Sequence, residues 1–181
     1  MKIGLMRHYK VLINTTKNWM SSHDFSEWVK QYDQSDIDLS NPIRANLNWD
    51  VCYTSDMQRA IKTAETIHYG ELITTNQLRE IQINPMFHAN VKLHLNIWLI
   101  LGRMGWLINH HSQENKYLTR MRAKTLLNTV EENCKNDENV LIVTHGAFMT
   151  VLRQELLHRG YIGDTFTKPK NGWIYTFEKG R

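Results

Sequence analysis

Apolar residues fall along this chain in short runs and in helical spacings, and the two alternate. Lys2–Met6 (KIGLM) reads as a buried strand that begins almost at the first residue. A polar stretch follows, within which Phe25, Trp28, Val29 and Tyr32 recur at helical spacing. They predict a loop and then a helix over Asp24–Tyr32, ended before Pro42. Asp50–Ser55 (DVCYTS) is a second strand. The helix after it opens on Ser55 and Gln58, which have the spacing of a capping box, and Gly70 is its stop signal. A short third strand and an exit loop lie within ELITTNQLREI. Glu138–Gly146 (ENVLIVTHG) is the clearest strand, a continuous apolar run ending in a polar loop. A helix stopped at Gly160 follows, and GWIYTFEK closes the chain as an antiparallel strand at the sheet edge. Strands alternating with helices define an α/β chain with a largely parallel sheet.

Leu93–Ile108 is apolar almost all round, broken by His94, Asn96 and Arg103. A membrane span needs ~20 such residues, so no membrane association is expected. A core helix kinked near Gly102 or Gly105 is the favoured expectation. A cap or dimer surface is the alternative, and a homodimer stays open.

Composition narrows the class of function. The 181 residues, 41% of them hydrophobic, suit one domain with its own core. Lysine and arginine number 22 against 18 acidic residues, a net charge of +4. That mild excess fits a small anionic substrate, and the lack of a dense basic run argues against nucleic acid. Cys52 and Cys134 show no metal-ligand spacing and are expected as reduced residues in or near the core. The adjacent His110 and His111 point different ways on a helix and are expected at the surface. His23, His68, His88, His94 and His158 have no partner pattern and are expected to be structural. The first ten residues hold no signal-peptide core, because Arg7 interrupts the apolar run, and a cytoplasmic location is expected.

The chemistry gathers at strand ends. In parallel sheets ligands bind beyond the carboxyl ends of the strands. Arg7 and His8 follow the first strand, Arg59 lies on the first turn of the helix after the second, and His145 precedes a helix N-terminus. Two arginines, two histidines and a helix start on one edge describe a site for a dianionic phosphate. An arginine is always charged and can grip two phosphate oxygens. A neutral imidazole is a competent nucleophile, and Arg7 and Arg59 disfavour a proton on His8. His145 can donate to the phosphoryl oxygens. Glu80, in the loop after the third strand, offers a proton for the leaving group. No metal motif is present, no cofactor is expected, and two arginines supply the charge.

With these blocks in order, LMRHYK, YTSDMQRAIKTAETI, LREI and VLIVTHGAFM, the chain resembles the histidine phosphatase superfamily, also called phosphoglycerate mutase-like. The resemblance covers most of the chain. It implies a three-layer αβα sandwich, a mostly parallel central sheet with helices on both faces. It also implies a single domain over 1–181 with a small helical cap about 85–120. It implies a phosphohistidine on His8, phosphate binding by Arg7, Arg59 and His145, and acid/base work by Glu80. Asn14, six residues past His8, falls where many members carry a phosphate-contacting asparagine. The implied activity is a metal-independent phosphoric monoester hydrolase of the histidine acid phosphatase type, acting on a small phosphorylated substrate. Alternatives are a phosphoglycerate-type phosphomutase and a phospho-ligand binding module with little turnover. The chain departs from the family at Tyr9, where glycine is usual, and at Val11, where a hydroxyl is common. Tyr9 is expected to set a bulky ring at the pocket mouth or to need a different backbone. Leaving-group specificity is expected from residues 15–48 and 85–120, with Trp19, Trp28 and Trp98 as pocket or core residues.

Overall fold

A computed structural model describes residues 1–40, 48–135 and 137–180. In chain order the elements are β1 (Lys2–Arg7), β2 (Trp19–Met20), α1 (Ser22–Gln34), β3 (Val51–Ser55), α2 (Gln58–Glu65) and β4 (Leu72–Thr75). After a 3-10 turn (Asn76–Leu78) come β5 (Leu93–His94), α3 (Leu95–Leu107) and α4 (Lys116–Asn133). The last elements are β6 (Asn139–Thr144), α5 (Gly146–His158), β7 (Tyr161–Gly163) and β8 (Ile174–Lys179).

The central sheet runs β4-β3-β6-β1-β8-β7, and its first four strands are parallel. β8 joins β1 antiparallel, as expected, but it is not the edge. The three-residue β7 covers it on the outside. Strand alternation then divides the core into two. Ile3, Leu5, Val140 and Ile142 face Ala123, Leu126, Leu127 and Val130 of α4 and Phe148, Met149 and Leu152 of α5. Met6, Leu141, Val143 and Cys52 face Ala60 and Ala64 of α2. Helices therefore cover both faces, which is why the inner strands read as unbroken apolar runs. Gly4 makes room for the ring of Trp49, which an added Cβ would strike.

α1 is capped by a reciprocal pair, Ser21 and Asp24, and runs two residues past Tyr32. Pro42, expected beyond its end, lies outside the described residues. The expected cap of α2 does not form: its N-cap is Met57, without a side-chain bond, and the helix ends at Glu65. α4 is an element the apolar spacing did not announce. Its second half buries Ala123, Leu126, Leu127 and Val130, while Leu118 and Met121 in the first half are exposed.

The helix expected at 93–108 is observed over Leu95–Leu107, preceded by the two-residue β5. α3 is one continuous helix that buries Trp98, Gly102 and Gly105 and exposes Ile97, Ile100, Met104 and Leu107. Its glycines admit neighbours: Gly102 receives Ile83, and Gly105 receives Met86 and Gln113. Trp98 stacks on Phe25 and donates to Met20 O at 2.8 Å. Together with Trp28, these residues form a third, smaller core shared by α1, α3 and the β2–β5 ribbon. Trp19 is exposed. No helix among the described residues is long and apolar enough to cross a membrane.

Candidate active site

The strand register sets the site. β1 and β6 pair in parallel with Arg7 opposite Thr144. His8 and His145 are each one residue further, so they leave the sheet side by side, with ring centroids 5.1 Å apart. Thr54 of β3 pairs with Val143, which brings Ser55 beside Thr144. Arg59 enters from the first turn of α2. All three of His8, Arg59 and His145 are buried.

Hydrogen bonding fixes both imidazoles. His8 Nδ1 lies 2.6 Å from the carbonyl oxygen of Tyr9. A carbonyl only accepts, so Nδ1 carries the proton and the neutral ring keeps its lone pair at Nε2. Burial first, then the neighbouring His145 and Arg59, hold the His8 pKa well below the usual histidine value. In His145 the arrangement is reversed. Arg59 Nε donates to its Nδ1 at 3.3 Å, so its proton is on Nε2, which donates to Ser55 Oγ at 3.0 Å. Burial and then Arg59 and Arg7 hold this ring neutral as well.

The arginines differ in how far they are satisfied. Arg7 lies across the start of α5, close enough that a Cβ on Gly146 would sit 3.1 Å from its Nε. Nη1 donates to Pro169 O at 3.1 Å, but Nε is buried with no hydrogen-bond partner among the described residues. A buried charged donor left without an acceptor is costly, and an anion at this spot would relieve it. Arg59 has a protein partner at every nitrogen: His145, Met57 Sδ, and Asp33, whose Oδ1 is 3.0 Å from Nη1.

Glu80 reaches the N-terminus of α5. Its carboxylate accepts from Ala147 N at 3.1 Å and Phe148 N at 3.0 Å, with Arg103 at 3.5 Å. The loop that carries it is tied to β6, because Thr144 Oγ1 donates to Leu78 O at 2.6 Å. Arg7, His8, Arg59, Glu80 and His145 thus converge on one end of the sheet. Asn14 is exposed, and among the described residues no hydrogen bond links it to the cluster.

Several contributors escaped the sequence reading. Ser55 is the partner of His145 and not a helix cap. Asn171 donates to His8 O at 2.8 Å and to Tyr9 O at 3.3 Å, bracing the turn that carries the nucleophile candidate. Gly172 N adds a bond to Arg7 O at 2.9 Å. Nor is Tyr9 at a pocket mouth. Its ring is buried in the α2-side core, and its backbone N–H donates to Thr63 Oγ1 at 3.0 Å. Cys52 and Cys134 are free and buried on opposite faces of the sheet, and burial pushes the Cys52 thiol up to about 12. Among the described residues no group of histidine, cysteine, aspartate and glutamate side chains could hold a metal ion.

An α/β fold with two arginines and two buried histidines at the carboxyl edge of its parallel strands defines a phosphate-handling class. The family is shown directly: residues 5–165 match the histidine phosphatase superfamily (branch 1), and the chain belongs to it. Solved structures with the same fold include phosphoglycerate mutase from Bacillus anthracis, 20% identical, with 97% of this chain and 86% of that chain covered and a TM-score of 0.59. Alpha-ribazole phosphatase from Shigella flexneri is 14% identical, with 97% and 89% covered and a TM-score of 0.58. Phosphoserine phosphatase from Entamoeba histolytica is 17% identical, with the same coverage and a TM-score of 0.55. At such identities the likeness is one of fold. No curated protein sequence matches the chain.

Proposed function

We propose that the protein hydrolyses a small phosphomonoester in two steps, through a phosphohistidine on His8. In the first step His8 Nε2 attacks phosphorus, and the bond from phosphorus to the leaving oxygen breaks. Arg7 and Arg59 hold the phosphoryl oxygens, and His145 joins them by turning its Nε2–H from Ser55 Oγ, which spreads the charge of the group in flight. Glu80 gives the leaving alkoxide its proton. In the second step water attacks the phosphohistidine, Glu80 takes the proton of that water, and the bond to Nε2 breaks. Inorganic phosphate departs and His8 is neutral again.

The tautomer of His8 supports this reading. Its Nδ1–H bond to Tyr9 O directs the lone pair to Nε2 and steadies the positive charge that the ring gains on phosphorylation. Glu80 must turn away from the N–H groups of Ala147 and Phe148 to act. A phosphoryl dianion arriving at the same helix start competes for those donors.

The observation that carries the proposal is the buried Nε of Arg7, which has no hydrogen-bond partner among the described residues, beside that imidazole. The test is hydrolysis of p-nitrophenyl phosphate by wild type and His8→Ala. Wild type should turn over and His8→Ala should be inactive while folded by circular dichroism. A folded His8→Ala with near-normal rate would refute the nucleophile.

A further inference from the structure

We propose that Asp33 is a built-in competitor for Arg59, so that a phosphoryl group binds by displacing the Asp33 carboxylate from the guanidinium. The proposal rests on the phosphate-binding reading of Arg59.

Asp33 lies in the last turn of α1, and that turn carries no basic residue. A carboxylate there opposes the helix dipole and needs a cation from elsewhere. Arg59 supplies it across 26 residues. Its Nη1 donates to Asp33 Oδ1 at 3.0 Å and reaches the Asp33 backbone oxygen at 3.4 Å, and its guanidinium lies 5.3 Å from the centre of the Tyr32 ring. One arginine thus closes the end of α1 and belongs to the phosphate cluster.

The donor inventory makes these two duties compete. Nε is engaged by His145 and Nη2 by the Met57 thioether, a weak acceptor. Among the described residues Asp33 is the one charged acceptor on the group. A bidentate grip on phosphate uses two in-plane donors, so at least one present partner must leave. Exposure points to Asp33: its side chain is 42% exposed against 2% for Arg59, so it lies on the solvent side of the guanidinium it holds. A dianion arriving from solvent meets this carboxylate first, and two anions at one guanidinium repel each other. When Asp33 returns to Arg59, it helps to expel inorganic phosphate.

The simpler role, in which Asp33 only orients Arg59, predicts the opposite sign. Inorganic phosphate is titrated by calorimetry into wild type, Asp33→Asn, Asp36→Asn and Arg59→Ala. Asparagine keeps the shape of the side chain and the backbone bond to Arg59. Asp33→Asn should bind phosphate about tenfold more tightly than wild type. Asp36→Asn removes the same charge from a carboxylate paired with Lys62, and should stay within about twofold of wild type. Unchanged or weaker binding by Asp33→Asn would overturn the proposal, and so would an equal gain in Asp36→Asn. Equal binding by wild type and Arg59→Ala would instead refute Arg59 as a phosphate ligand, and this proposal with it.

Discussion

Tyr9 shows how a single departure from a family pattern is absorbed. The ring turns into the core on α2, where its hydroxyl meets Thr66 Oγ1 at 3.3 Å, and its carbonyl, braced by Asn171, accepts from His8. Gly146 is less replaceable, because Arg7 lies against it. In Gly146→Ala the arginine must shift by a few tenths of an ångström. Stability should hold within about 1 kcal/mol, since alanine suits a helix better than glycine. Activity should nonetheless fall about ten- to a hundredfold, because a displaced Arg7 loses alignment with the phosphoryl group it is proposed to hold. Full kcat/KM alongside an unchanged melting temperature would contradict the placement of Arg7. The sequence made Arg7, His8 and His145 legible because each directly follows an apolar run. Ser55, Asp33 and Asn171 were not legible. Their partners lie 90, 26 and 163 residues away, and no local spacing encodes such pairings.

Between elements, a hydrogen bond ties the loop that carries Glu80 to the sheet. Thr144 is fully buried at the end of β6, and its hydroxyl donates to Leu78 O at the 3-10 turn before Glu80. Thr144→Val keeps the volume and leaves that carbonyl buried without its donor. Urea unfolding should show a loss of about 1–3 kcal/mol. A loss below about 0.5 kcal/mol would mean that the carbonyl finds another partner. Strands β1, β3 and β6 were readable because two covered faces require continuous apolar runs. Glycine in a helix signals either a bend or a close approach, and at Gly102 and Gly105 of α3 neighbouring side chains do approach closely. β2, β5 and β7 have two or three residues each, too few for any periodicity to register.

Across the whole molecule, the buried histidine pair makes stability depend on pH. Both rings have folded-state pKa values well below the unfolded value of about 6.5. Below that pH the unfolded chain binds protons that the folded chain refuses, so stability rises with pH. Their contribution is complete above about pH 6.5 and is lost as pH falls towards the folded values. The melting temperature should therefore drop between about pH 6.5 and 5, and less steeply in His8→Asn. An identical slope in the variant would contradict a buried neutral His8. The same neutrality underlies the central claim, that Nε2 of His8 takes the phosphoryl group. The most direct measurement is rapid quenching of wild type and Glu80→Gln during turnover of a phosphomonoester, followed by mass spectrometry under alkaline conditions. One acid-labile, base-stable phosphoryl group on His8 is expected. Phosphate found on another residue, or turnover with none on His8 under any quench time, would contradict it.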